Sequence, residues 1–405
     1  MAVLQVGKDV FGVANQEALG TPEAQPQFAH GLAGGGVKVA VNQEVDPLTS
    51  AYISPAGALR DKVDAGAEIT ARAWKGSAGL YLLGALGHDT PSQLPAPSAI
   101  TSSSVANPTV ITTTAPHGQG SSGTKQVTIA GHTGSTPAVS GAYTATMTGA
   151  STFTVPVNVT VGGTGGTVTF PATSYTHTLT LGEATPYLTA FELKGDDTIV
   201  IVQDCKVDEL ALSWDGNKPV ELSTKLIGTV LSFGAAAWTP VNNEMDTTTY
   251  FTPSGGIFEI DVDGSTLVSA TVVAGSVTIK RATEAQFYSG DIEAGDVAEG
   301  FCEPEVSLTI VPEDLAEWRT IITGTPAGTT VGSVPVYGSF SLQFACGSNT
   351  LTLSAAKVAF MCELVDADPA GGAAKLELAG VCYRSGATPV TAVLTNLIAS
   401  YNPVA

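Results

Sequence analysis

The chain has 405 residues, with 17 Lys plus Arg against 37 Asp plus Glu and a formal net charge of −20. That balance excludes binders that hold nucleic acid through phosphate contacts, which need clustered cations. With 13% charged residues and 45 glycines, and with short Val/Thr runs set between turn signals, the chain reads as a β-rich globular protein of two or three domains.

Residues 1 to 36 contain Gly20-Thr21-Pro22 and Gly34-Gly35-Gly36, breakers that predict an extended arm and loop before the first strand. The arm's beginning lacks the basic region and apolar core of a cleaved signal peptide. No run reaches membrane-span length, so a soluble, non-exported chain is expected. Val37 to Glu44 reads as a strand. Glu68 to Gly87 reads as a strand followed by a helix around Ser77 to Leu86, in which Leu80, Leu83 and Leu86 form an apolar stripe for core packing.

The composition then changes. Between Asp89 and Glu183 there is no acid, and Lys125 is the only Lys or Arg. Short strands are predicted at Thr109 to Thr114, Gln126 to Ala130, Ala142 to Thr148 and Thr152 to Val161, so residues 98–171 read as a small inserted β module. Gly118 to Gly123 and Gly162 to Gly166 lack the Lys-Ser/Thr of a phosphate loop and read as turns.

Beyond the module, Ser174 to Leu181, Tyr187 to Leu193 and Thr198 to Gln203 alternate as strands. Asp204 to Gly228 follows as a β-hairpin, with Leu210, Leu212 and Trp214 on one strand, Val220, Leu222 and Leu226 on the other, and Asp215-Gly216-Asn217 as the turn. A second unit is expected from Phe233, with a strand at Ile257 to Val262 and a turn at Asp263-Gly264. Residues 291 to 317 carry nine acids, including Asp296, Glu299, Glu303, Glu305, Glu313 and Asp314. They read as a solvated loop and helix N-terminus or as a charged contact surface.

Three segment pairs recur in the same order: Val37 to Glu44 with Val277 to Glu284, Glu68 to Gly87 with Glu305 to Gly324, and Asp204 to Gly228 with Ala356 to Gly380. Such self-similarity marks a tandem duplication. The expected domains are therefore 1–97 with 172–232, the insert 98–171, and 233–405.

Little in the chain points to chemistry. Cys205, Cys302, Cys346, Cys362 and Cys382 form no CxxC and read as reduced, mostly buried thiols. His30, His88, His117, His132 and His177 stand near no Ser or Cys in a catalytic arrangement, and His177 reads as a solvated or hydrogen-bonded strand residue. No catalytic, cofactor-binding or metal-ligating residue is assigned, and no enzymatic activity or cofactor is expected.

The chain resembles the tail tube (major tail) proteins of long-tailed bacteriophages. The resemblance rests on Leu19-Gly20-Thr21-Pro22, Gly66 to Gly87, Tyr175 to Leu181, Cys205-Lys206-Val207 to Gly228, and Gly275 to Glu284. It implies two tandem β-sandwich or barrel units, each with a flanking helix, whose copies close into stacked rings forming a DNA conduit. DNA would pass without specific binding. The implied partners are other copies of the chain, a tape measure protein, and terminator or tip proteins. The implied place is the virion, after assembly in the host cytoplasm. The duplication makes a trimeric ring the favoured stoichiometry and a hexamer the alternative. The insert, as long as a small domain, would block a bore and is expected outside it. A different class of function is a surface or fibre-type protein that binds host carbohydrate through the insert; against it, Tyr143, Phe153 and Phe170 are expected in the insert's own core.

Overall fold

A computed structural model describes residues 9–45, 58–195, 198–234, 238–245, 249–262, 265–267, 272–311, 316–325, 327–365, 375–386 and 388–403. The expected Asp263-Gly264 turn and the Glu313-Asp314 helix start lie outside these residues. The fold is mainly β, with two helices among the described residues, Ser77–Leu86 and Ala316–Thr323. The chain divides into two compact units, one of Pro91–Thr176 with Leu397–Ala399 and one of the remainder.

The smaller unit is a closed six-stranded barrel built from strands between Ser98 and Thr169. Alternation along Thr109–Thr113 and Thr124–Ala130 sends Ile111, Val127 and Ile129 inward, where they meet Phe153 and Phe170. His117 meets Phe153 edge-on and Phe170 at a tilt, at 6.1 and 5.4 Å between centroids. The strand expected from Thr152 to Val161 stops at Val155, because Pro156 cannot donate to the ladder.

In the larger unit, residues 10–15 and 28–31 are paired strands rather than part of an arm. Val10–Asn15 pairs with Phe28–Gly31 and with Leu188–Lys194, and Phe11, Val13 and Phe28 are fully buried. The strands expected separately around Thr198 and Leu210 are one strand, Thr198–Asp215. It bends at Asp204, a non-glycine at φ 51°, and local hydrogen bonds hold that conformation in place. Asp204 Oδ1 accepts from Gly20 N (2.7 Å) and from the Gln16 amide, and Oδ2 accepts from the Thr229 hydroxyl at 2.8 Å. Before the bend the strand pairs with Leu188–Lys194 and Leu231–Gly234; after it, with Glu221–Gly228 and Val272–Lys280. The boundary expected at residues 232/233 thus falls inside a continuous sheet.

Helix Ser77–Leu86 matches the predicted span, but all ten of its residues are buried rather than one stripe. Its N-terminal amides find no local cap. Glu244 reaches them from far along the chain, accepting from Gly76 N at 2.8 Å and Ser77 N at 3.0 Å. Burial pushes the Glu244 carboxyl above its ordinary range, against the pull of those hydrogen bonds. Gly87 at φ 95° closes the helix, its N–H donating to Leu83 O. Tyr401 locks the same end from the C-terminal segment. Its hydroxyl donates to Gly76 O at 3.0 Å and accepts from Asn396 Nδ2 at 2.6 Å. Its ring lies 2.1 Å from where a Cβ on Gly79 would sit, so this helix position needs glycine.

His30 packs against the helix with Nε2 2.8 Å from the Tyr81 hydroxyl and is fully buried. Burial lowers its pKa to about 4, so the unfolded chain takes up this proton before the folded one does. Stability is complete above the ordinary histidine value of about 6.5 and falls as pH drops towards 4, by about 3 kcal/mol for this group. Urea unfolding at pH 7 and 4.5 should show the loss in the wild type and a smaller loss in His30→Gln.

Candidate assembly surface

Eight strands lie side by side in one antiparallel row: Gly34–Val45, Ala58–Arg72, Glu221–Gly228, the 206–215 part of Thr198–Asp215, Val272–Lys280, Glu303–Ile310, Lys375–Cys382 and Asn349–Val365. One face is apolar and packed. Leu210, Leu212 and Trp214 alternate inward, and the Trp214 indole stacks at 5.9 Å on Phe258 and meets Phe344 edge-on at 5.0 Å. The opposite face carries the alternate residues, Glu209, Ala211, Ser213 and Asp215 on this strand and Thr278, Glu305 and Ser307 further along.

Among the described residues this outer face presents nine carboxylates (Asp64, Glu68, Glu209, Asp215, Glu221, Glu303, Glu305, Glu363, Glu377) and six cations (Lys38, Lys62, Arg72, Lys225, Lys280, Lys375). Pairs such as Lys280–Glu305, at 2.6 Å, are half exposed and contribute little to stability. Their sum is a weakly acidic face on which, among the described residues, no cluster of cations stands free of carboxylates.

The row's two ends differ from its middle. At one end, Gly34–Val45 has a sheet partner on only one side among the described residues, and its Val37 N–H donates to Glu192 Oε2 at 2.7 Å. Glu192 is itself held by Lys194 at 2.6 Å. At the other end, Asn349–Val365 pairs with Lys375–Cys382 on one side, and its other side is paired only as far as Ala359.

A ribbon of Glu284–Phe287 and Ala294–Ala298 extends from the middle of the row. It folds over the first-half strands, where Val63 N donates to Ile292 O at 2.7 Å and the Tyr187 hydroxyl donates to Asp296 at 2.8 Å. Just beyond it, Glu299 accepts from Lys206, from Arg281 at 3.1 Å and from Thr185 N at 3.0 Å. Burial pushes the Glu299 carboxyl up, but Lys206 and Thr185 outweigh it and hold it below the ordinary range. This part of the acidic stretch 291–317 is therefore an internal joint rather than a solvated loop.

The histidines and cysteines fall in structural positions. His177 is buried with Nδ1 2.7 Å from Asp89 Oδ2, and His132 Nε2 lies 2.9 Å from the Ser103 hydroxyl. All five cysteines are free thiols, and burial raises Cys362 to about 11 and Cys382 to about 12. Among the described residues no three His, Cys, Asp or Glu side chains gather where they could hold a metal ion, and no helix is long and apolar enough to cross a membrane. In the barrel, Phe153 and Phe170 are buried in the core, and Tyr143 packs half-buried against it, its hydroxyl donating to Ser140 O at 3.3 Å. No family model matches the chain, and no curated protein matches it.

Proposed function

We propose that this chain is a self-assembling structural subunit whose copies join edge to edge into a closed ring. More narrowly, we read it as the tail tube protein of a long-tailed bacteriophage, with rings stacking into a DNA conduit. One observation carries this reading: the eight-strand row is a four-strand order used twice. Strands 34–45, 58–72, 221–228 and 206–215 make the first set; strands 272–280, 303–310, 375–382 and 349–365 make the second. Each set is a hairpin laid against a second hairpin, and the recurring sequence segments fall on matching strands.

With Glu68 taken as the equivalent of Glu305, the ladder registers set the match, two residues along from the segment starts Val37 and Val277. Glu68 faces Gly36 and Glu305 faces Thr278, so Gly36 corresponds to Thr278 and Val37 to Ile279. Thr224 faces Leu210 and Gly380 faces Phe360, so Leu210 corresponds to Phe360. The two sets meet within the chain where Leu210 pairs with Ile279. Repeating that junction between copies puts Phe360 of one copy opposite Val37 of the next.

A row that ends on two compatible borders closes when enough copies meet, which uses edge hydrogen bonds that would otherwise invite aggregation. Three copies supply about 24 strands; at about 4.8 Å each they span a barrel about 37 Å across before tilt, wide enough for duplex DNA. Negative-stain microscopy of the purified protein should show rings or tubes, and mass photometry of single rings should give three times 41.0 kDa. Six chains per ring would reject the trimer, and a protein that stays monomeric would reject assembly.

A further inference from the structure

The second half of the row carries a surface built like the one the ribbon covers, but left open. In the first half, Lys206 sits 4.4 Å over the Tyr187 ring and is neutralised by Glu299. In the second half, Lys357 sits 4.5 Å over the Tyr337 ring. Tyr337 is 42% exposed, and among the described residues no carboxylate pairs with Lys357.

A cleft in each half also corresponds. The first, about 820 Å³, is lined by Val39, Ala65 and Leu226 of the first set and by Phe287 of the ribbon that covers it. Ala65 lies three residues before Glu68 as Cys302 lies three before Glu305. Lys225 faces Glu68 as Val381 faces Glu305, so the next residues, Leu226 and Cys382, also match. Cys302 and Cys382 indeed line a second cleft of about 610 Å³. Its rim residues Phe301 and Tyr383 are 80% and 46% exposed.

The roof of the first cleft grows out of the second set's leading hairpin. Its counterpart is the hairpin of Gly34–Val45 and Ala58–Arg72. On that hairpin Val39 and Val41 pair with Ala65 and Val63 and share their apolar face, yet Val39 and Val41 are 39% and 46% exposed. Asp61 is exposed seven residues before Glu68, where Glu299 stands six before Glu305. The hairpin belongs to the opposite end of the row from the open cleft, so its own chain is not the matching seat.

We propose that in the ring the hairpin of one copy lays Val39 and Val41 into the Cys302/Cys382 cleft of the next copy and brings Asp61 to Lys357. The joint would repeat between chains the apolar cover and acid–lysine pairing already made within the chain. This inference rests on the ring reading and refines its contact.

Photo-cross-linking tests it on the assembled full-length protein, with p-benzoylphenylalanine in place of Val41 and, separately, of Tyr383. Both positions are exposed and leave the core intact. Illuminated rings carrying the first probe should give cross-linked dimers on a denaturing gel, with mass spectrometry placing the link on Phe301–Glu303 or Val381–Tyr383 of another copy. The second probe should mark 37–45 of another copy. Rings whose links all fall elsewhere, or only within a chain, would overturn the seat while leaving the ring standing. Wild-type protein that never leaves the monomer would overturn both.

Discussion

Tyr401→Ala is expected to lower the stability of the larger unit by about 4 kcal/mol, the range for emptying a fully packed aromatic site. The ring fills the space above Gly79 and contacts the His177 imidazole at 4.7 Å between centroids, and the hydroxyl joins Asn396 to the first turn of the buried helix. Removing the side chain therefore opens a cavity and strips partners from buried polar groups together. Tyr401→Phe separates the two contributions: it keeps the packing and should cost about 1–2 kcal/mol for the lost hydrogen bonds. Urea titration followed by tryptophan fluorescence checks both. An unchanged midpoint in Tyr401→Ala would show that the C-terminal segment does not hold the helix.

Under the proposed assembly, Gly34→Cys combined with Glu363→Cys should lock rings into covalent trimers. Within the chain, Arg281 N donates to Asp208 O at 2.7 Å, which fixes the odd-numbered residues of Val272–Lys280 as the members of hydrogen-bonded pairs along that junction. Carried to the junction between copies, the same phase makes Val37 and Phe360 a hydrogen-bonded pair and Gly34 and Glu363 a non-bonded one. Non-bonded pairs bring Cα atoms to about 4.5 Å, within disulfide reach. A Cβ on Gly34 would meet no atom within 4 Å, so the new side chain fits. Oxidised rings should run as trimers on a non-reducing gel, and either single variant as monomer. Rings that form normally yet yield no cross-link would refute this register.

Much of the fold was legible because it is local. The period-2 run Leu210, Leu212, Trp214 and the Asp215-Gly216-Asn217 turn specify their hairpin without help, and Gly216 takes its positive φ of 56°. Helix Ser77–Leu86 was bounded by its own residues, but its complete burial depends on sheets contributed from elsewhere. The N-terminal strands were missed because Gly and Pro dominate the segment, while the pairing that makes Phe11 a core residue comes from Leu188–Lys194. Glu244 gave no signal either: a carboxylate that caps a helix 167 residues away leaves no motif in its own neighbourhood. The row's acidic face was visible only as composition, since which Glu points outward depends on register.

The tie between Val37 and Glu192 sets the terms on which this border admits company. An arriving strand there swaps one acceptor for another instead of answering an empty donor, so backbone thirst supplies no pull at that point. At Val37 a solitary subunit is accordingly a poorer template for strangers than along the rest of its border. Kinship is judged by fit, by whatever shape can dislodge a carboxylate that Lys194 already holds.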